Sequence, residues 1–238
     1  MKEDIILNTN DALIIVDVQS DFLPGGALPV PEGDQVIPIL NDYIDLFRRR
    51  ARVYATRDWH PVNHISFRDN GGPWPSHCIQ ESDGAGFGPG LKLPTNVTII
   101  SHGTDPKRES YSGFEEGYLS DNLRLSQVGR LFVGGLATDY CVKNTVLDAL
   151  DQGFKVFLLT DATRGINLQP GDAERAIDTM VSKGAKTAAL EDFPEPIDIS
   201  LQEPVAEGMA EKPLIRADEK KKARLRSRGP YRKARVEH

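Results

Sequence analysis

Short apolar runs rich in Val and Ile recur along the chain, and several of them show no alternation of apolar and polar positions. Runs of this kind are typical of strands that are buried on both faces of a sheet. The pattern predicts strands at 12–17, 53–58, 97–100, 130–136, 155–160 and 186–190.

Segments with helical spacing lie between these strands, and Asp or Ser stands near the start of each, as is typical of helix N-termini. The predicted helices cover 33–50, 120–129, 139–152 and 172–184. Gly153 and Gly184 stand where C-terminal caps belong. Strands that alternate with helices predict an α/β fold with three layers, in which helices cover both faces of a central parallel sheet.

Polar and ionisable residues stand at the carboxyl ends of the first four predicted strands. Asp17 closes the first strand, Asp58 closes the second, His102 follows the third, and the loop before Cys141 follows the fourth. A single Asp after a strand often only caps a turn or a helix. Because ligands bind at the carboxyl edge of such sheets, four of these residues together predict an active site there.

Cys141 lies in the first turn of the helix that follows the fourth strand, with Thr138 or Asp139 as the predicted cap. Unpaired N–H groups and the helix dipole favour the thiolate there, the form that attacks a carbonyl carbon. A free thiol taken alone is more often a small buried hydrophobe. With Asp17 at the same edge, however, the thiol proton has an acceptor that can later protonate a departing amine. N–H groups around Ala137 and Cys141 would hold the oxyanion.

Histidines and a carboxylate cluster in two short segments and indicate a metal site. RDWHPVNH contains Asp58, His60 and His64, and WPSHC contains His77. An Asp-x-His pair that leaves a strand, joined by a third ligand from a neighbouring loop, supplies oxygen and nitrogen donors with room for water. Zinc, iron and manganese all accept such a set, and the spacing does not choose between them.

Composition and charge restrict the setting of this site. Two cysteines make no disulfide framework, no secretory segment precedes the first strand, and no apolar run approaches the length of a membrane helix. A cytoplasmic protein is therefore expected. From Glu211 onward eleven Lys and Arg stand against four Asp and Glu. We expect a folded domain over 1–195 and a largely disordered basic tail over 196–238, for which a solvated tail is favoured over a nucleic-acid-binding arm.

Five segments together carry a family resemblance that covers about residues 11–190. They are IIVDVQSDFLPGGALPV, ATRDWHPVNHISF, GPWPSHCIQ, GTDPKRESYSGFE and GGLATDYCVKNTVLDAL. In this order they resemble the nicotinamidase and pyrazinamidase branch of the isochorismatase-like cysteine hydrolases. The resemblance implies a roughly six-stranded parallel sheet, and hydrolysis of a pyridine or pyrazine carboxamide to the acid and ammonia.

The resemblance also implies roles for individual residues. Asp17 corresponds to the acid and base, Cys141 to the nucleophile, and the metal ligands are Asp58, His60 and His77. His64 holds a position that binds metal in only some members of the family. The implied metal is one divalent ion per site, zinc in the first place, with iron or manganese as alternatives. A cis peptide bond is implied between Leu136 and Ala137. The implied substrate pocket is lined by Phe22, Leu28, Trp74 and Tyr140.

One position departs from the family pattern. The family has a catalytic lysine before the glycine of a KGTDP-like run, whereas this chain reads SHGTDP, with His102 in that position. Histidine is charged only conditionally near neutral pH, so three hypotheses stay open. The chain is a metal-dependent nicotinamidase in which His102 replaces the lysine, an amidase for another small amide or N-carbamoyl compound, or a catalytically impaired ligand-binding protein. A homo-oligomer is consistent with the family.

Overall fold

Each of the six predicted apolar runs forms a strand in the structure, a computed structural model that describes residues 4–116 and 118–194. The strands are β1 (Asp11–Val16), β2 (Arg52–Asp58), β3 (Thr98–His102), β4 (Arg130–Leu136), β5 (Lys155–Arg164) and β6 (Lys186–Ala188). The helices are α1 (Val36–Phe47), α2 (Tyr118–Leu125), α3 (Lys143–Asp151) and α4 (Asp172–Ser182). A π-helical turn, Thr138–Val142, leads into α3.

The strands form one sheet in the order β3-β2-β1-β4-β5-β6, and every pairing is parallel. β1 lies between β2 and β4 and is buried along its whole length. Because successive side chains of a strand point to opposite faces, Leu13 and Ile15 pack with α1 on one face. Ala12, Ile14 and Val16 pack with α2, α3 and α4 on the other face. The predicted three-layer α/β/α class is confirmed.

Burial on both faces explains why the strand run lacks a polar alternation. Leu13, Ile14 and Ile15 have no exposed surface. Burying one such aliphatic side chain stabilises the folded state by about 1.5–3 kcal/mol. The central strands therefore form a rigid base for the loops at their carboxyl ends.

The structure differs from the sequence prediction at several element ends. β3 runs to His102 and not to residue 100, because His102 pairs with Asp58 of β2 across the sheet. The polar residues Ser101 and His102 follow the apolar run, so the sequence pattern did not predict this extension. The helix predicted over 33–50 is shorter, since Gly33–Gln35 form a 3₁₀ turn before α1 begins at Val36.

The predicted cap of the helix after β4 is wrong. Neither Thr138 nor Asp139 caps that turn, and Ala137 precedes it without a side-chain hydrogen bond. The Thr138 hydroxyl instead bonds the Thr163 hydroxyl at 2.7 Å, so it joins the turn to β5. The Asp139 carboxylate accepts hydrogen bonds from the loop after β5.

The predicted basic tail at 196–238 lies outside the described residues, so both the domain boundary and the disorder stay predictions. Within 4–116 and 118–194 no helix has the length and apolar character that a membrane crossing requires.

Candidate active site

The four polar positions at the strand ends come together because β3, β2, β1 and β4 are neighbours in the sheet. Asp58 and His102 are the last residues of adjacent strands and pair in register. Asp17 follows β1 directly, and Cys141 lies in the turn that follows β4. Asp17, Asp58, His102 and Cys141 are all buried. The structure thus gathers the predicted catalytic residues at one edge of the sheet.

Asp17 is held by side chains from two neighbouring strands. It has a left-handed backbone (φ 47°), which Asp tolerates better than most residues. Its Oδ1 accepts a 2.6 Å hydrogen bond from the Thr56 hydroxyl. His102 Nε2 lies 3.1 Å from both carboxylate oxygens. The carboxylate is fully buried, so these contacts fix its orientation.

His102 lies between two carboxylates. Its Nε2 faces Asp17, and its Nδ1 lies 3.2 Å from Asp58 Oδ1. Burial lowers the pKa of His102, but the charges of Asp17 and Asp58 outweigh it and raise that pKa to about 10. The raised pKa favours a protonated, positively charged imidazole at His102, the position where the family has a lysine.

The environment of Cys141 opposes the thiolate that the start of a helix favours. Burial, followed by the charges of Asp17 and Asp58, raises the pKa of the Cys141 thiol well above its ordinary value. A side-chain hydrogen bond with Asp17 acts in the same direction. The start of a helix favours an anion, but two nearby carboxylates and a dry surrounding outweigh it. These effects favour the protonated thiol, and Asp17 lies beside it as a proton acceptor.

The backbone before Cys141 supplies a further donor. The peptide bond between Leu136 and Ala137 is cis, as the resemblance implies. Ala137 lines the same pocket as Cys141. Gly135 before it has φ 124°, and a Cβ there would lie 2.1 Å from the Val16 carbonyl oxygen. The close approach of β4 to β1 at this point therefore requires glycine.

The three predicted metal ligands form one buried cluster. Asp58 Oδ2 lies 3.3 Å from His60 Nε2 and 3.6 Å from His77 Nε2. One ligand atom from each residue lies within 4.8 Å of the others. Among the described residues, Asp58 Oδ1 has no hydrogen-bond partner. A buried carboxylate that brings one oxygen close to two imidazole nitrogens fits a divalent cation with open coordination positions.

Surrounding groups orient these ligands. His60 Nδ1 donates to the Gly103 carbonyl at 2.9 Å, and His77 Nδ1 donates to the Pro75 carbonyl at 2.7 Å. Both bonds leave Nε2 free to face Asp58, which is the usual arrangement of metal-binding histidines. Gln19, which the sequence did not single out, holds the backbone of Asp58 with its side-chain amide. Its Oε1 accepts the Asp58 N–H, and its Nε2 donates to the Asp58 carbonyl, each at 2.8 Å.

His64 does not join this cluster. Its Nδ1 accepts a hydrogen bond from the Ser66 hydroxyl at 2.7 Å, and its Nε2 donates to the Arg108 carbonyl at 3.0 Å. Burial and the neighbouring His60 lower the pKa of His64, which favours this neutral form. Its ring stacks on His60, with centroids 4.2 Å apart. His64 therefore packs against His60 from outside the metal cluster.

Gly103 offers a test of the ligand geometry. A Cβ at Gly103 would lie 2.4 Å from His60 Cε1, so the ring would have to move. We expect Gly103→Ala to weaken zinc affinity by about 10- to 100-fold, measured by competition with a chromogenic chelator. Gly153→Ala is the matched control, because Gly153 also has positive φ but has nothing within 4 Å of the position that a Cβ would take. Equal zinc affinity in both variants and the parent would contradict the assignment of His60 as a ligand.

An aromatic slot leads to Cys141. The four predicted lining residues all contribute to it, and Tyr111 and Ile166 line it as well. Trp74 Nε1 donates to the Tyr111 hydroxyl at 2.9 Å, and the Trp74 and Tyr140 rings meet edge to face with centroids 5.1 Å apart. These contacts keep the aromatic walls in place. The lining is mainly aromatic and apolar, with the polar side chains of Asp58 and His77 beside it.

Comparison with known proteins agrees with this geometry. The model of the isochorismatase domain matches residues 11–192. A nicotinamidase of Escherichia coli (strain K12) is 42% identical over 206 residues, which cover 77% of this chain and 97% of that protein. The pyrazinamidase of Pyrococcus horikoshii, solved in complex with zinc, is 53% identical with a TM-score of 0.73, over 76% of this chain and 99% of that one. PnC1 from L. infantum, solved in complex with nicotinate, is 35% identical with a TM-score of 0.73, over 79% of this chain and 98% of that one.

The chain belongs to the isochorismatase family. Within that family it is of the nicotinamidase and pyrazinamidase type, which confirms the resemblance predicted from the sequence motifs. It is accordingly a hydrolase that acts on amide carbon–nitrogen bonds.

Proposed function

We propose that the chain is a metal-dependent cysteine amidase that converts nicotinamide, and also pyrazinamide, to the corresponding acid and ammonia through a thioester on Cys141. The observation that carries this proposal is the buried contact between the Cys141 thiol and Asp17 beside an aromatic slot. The similarity to nicotinamidases and pyrazinamidases supports the choice of substrate.

The proposed first half-reaction forms the thioester. Asp17 takes the thiol proton as sulfur bonds to the carboxamide carbon, and the carbonyl electron pair moves to oxygen. The N–H groups of Ala137 and Cys141 stabilise this oxyanion. When the carbonyl re-forms, the carbon–nitrogen bond breaks, Asp17 returns the proton to nitrogen, and ammonia leaves.

The proposed second half-reaction releases the acid. A water molecule attacks the thioester carbon and gives a proton to Asp17, which acts as base a second time. The carbon–sulfur bond then breaks, and the proton returns from Asp17 to the Cys141 sulfur. Together these proton transfers return the enzyme to its starting state.

Asp58, His60 and His77 would hold the divalent ion, for which we propose zinc, as in the complex of the Pyrococcus horikoshii relative. When bound, such an ion supplies a Lewis acid and a fixed charge next to the substrate. The three side chains direct their Nε2 and carboxylate atoms at one point. Asp58 and His77 also line the slot.

The proposal is tested by ammonia release from nicotinamide by the purified chain, measured beside pyrazinamide and a panel of aliphatic and N-carbamoyl amides. Release from nicotinamide with nicotinic acid as the second product is the expected result. Turnover only of other amides would support the second hypothesis from the sequence, a different amidase. Binding of nicotinamide without turnover of any amide would support the third, an impaired ligand-binding protein.

Substitution of His102 tests whether it replaces the family lysine. Both of its nitrogens approach a carboxylate, so we expect His102→Gln, which lacks a positive charge, to lower kcat/KM for nicotinamide by about 100-fold. His102→Lys, which brings an ammonium to the same place, should stay within about tenfold of the parent. Full activity of His102→Gln would make His102 a bystander.

A cytoplasmic location and a homo-oligomer stay predictions from the sequence. We propose both on the basis of the chain's composition and its family.

A further inference from the structure

Asp139 lies two residues before Cys141, yet its carboxylate turns away from the sulfur and toward the loop that leaves β5. One oxygen accepts the Ile166 N–H at 2.9 Å, and the other accepts the Asn167 N–H at 2.8 Å. The side chain is buried, with 5% of its surface exposed. One carboxylate therefore joins the nucleophile turn to two consecutive N–H groups of another loop.

This loop has little freedom around Asp139. A Cβ at Gly165 would lie 2.6 Å from the Ala173 side chain and 3.2 Å from Asp139 Oδ1. Asn167 has a left-handed backbone (φ 52°), and its Oδ1 accepts a hydrogen bond from the Ala173 N–H at 2.9 Å. The segment is thus fixed to α4 on one side and to the turn of Cys141 on the other.

The residue held in this way forms a wall of the substrate slot. Ile166 lines the slot beside Cys141, Tyr140 and Ala137, and it packs against the core below. Its position relative to the sulfur is set by the two oxygens of Asp139, which accept the N–H groups of Ile166 and Asn167. A shift of this loop would change the width of the slot without touching the sulfur or its proton acceptor.

We infer that Asp139 is a positioning residue that sets substrate fit by holding Ile166 against the slot, a role that rests on the amidase function proposed above. Two features separate it from the catalytic residues. Its oxygens bond only backbone N–H groups of the loop, and it contacts neither Asp17 nor the metal cluster among the described residues. Its effect therefore falls on substrate binding.

Asp139→Asn tests this role. An amide keeps one acceptor oxygen but presents an NH₂ group to the second backbone N–H, so one N–H loses its partner. We expect KM for nicotinamide to rise at least about tenfold while kcat changes less than about threefold, because Cys141 and Asp17 are unaltered. Asp172→Asn is the matched control, since Asp172 also accepts a loop N–H, that of Gln169, but lies outside the slot.

A second substitution separates this role from a general loss of stability. Ile166→Ala should also raise KM, and Asp139→Asn combined with Ile166→Ala should raise it no further than the larger single effect. Additive effects, an unchanged KM in Asp139→Asn, or an equal effect of Asp172→Asn would overturn the inference while leaving the amidase function intact. If the parent releases no ammonia from any amide, the proposed function fails, and the inference is then judged on nicotinamide affinity in the same variants by calorimetry.

Discussion

Cys141→Ala should abolish ammonia release from nicotinamide, with kcat reduced by about 10⁴-fold or more. The sulfur is the nucleophile in the proposed reaction, and Cys141 lines the aromatic slot. Alanine removes the atom that bonds to the carboxamide carbon but leaves the slot walls and the metal ligands in place. Rates would be measured by coupled ammonia detection at saturating substrate.

Cys78→Ala is the control for this substitution, because Cys78 is the other cysteine of the chain. Cys78 is buried, forms no disulfide and does not line the slot. We expect this variant to retain most of the parent activity. Activity that survives in Cys141→Ala would exclude a thioester route and would indicate that water attacks the amide directly.

Asp17→Asn should lower kcat by about 10³-fold, since removal of a general acid and base commonly has an effect of 10²- to 10⁴-fold. The asparagine amide has nearly the shape of the carboxyl group and can still accept the Thr56 hydrogen bond. It has no affinity for the thiol proton, however, and burial already favours the protonated thiol. The nucleophile would then remain in its unreactive form.

The measurement for Asp17→Asn pairs turnover with affinity. Calorimetry with nicotinamide should give a Kd within a few-fold of that of Cys141→Ala, because Asp17 is buried and does not line the slot. Zinc content should equal that of the parent. A kcat within tenfold of the parent would show that another group takes the thiol proton.

The strands and the convergence of site residues were predictable from the sequence. Central strands buried on both faces give apolar runs, and the carboxyl edge of a parallel sheet collects whatever polar residues follow those runs. Asp17 and Asp58 were therefore placed correctly from position alone. The family resemblance implied Asp58, His60 and His77 as ligands but left His64 open. In the structure both nitrogens of His64 are hydrogen-bonded.

Features that depend on contacts between distant segments were not predictable. The contact between His102 and Asp58 joins two strands. The raised pKa of the Cys141 thiol results from burial and from the charges of Asp17 and Asp58, which are far apart in sequence. Local rules for a helix start favour the opposite protonation state, because they include neither this burial nor those carboxylates. Ile166 carries no sequence signal beyond its place after β5.

Rapid acid quench of the enzyme during turnover of nicotinamide, followed by mass spectrometry of its cysteine-containing peptides, examines the covalent step itself. A nicotinoyl adduct should appear on the peptide with Cys141 and not on that with Cys78, and added hydroxylamine should divert it to the hydroxamate. Full-rate ammonia release with neither an adduct on Cys141 nor any hydroxamate would contradict the thioester mechanism.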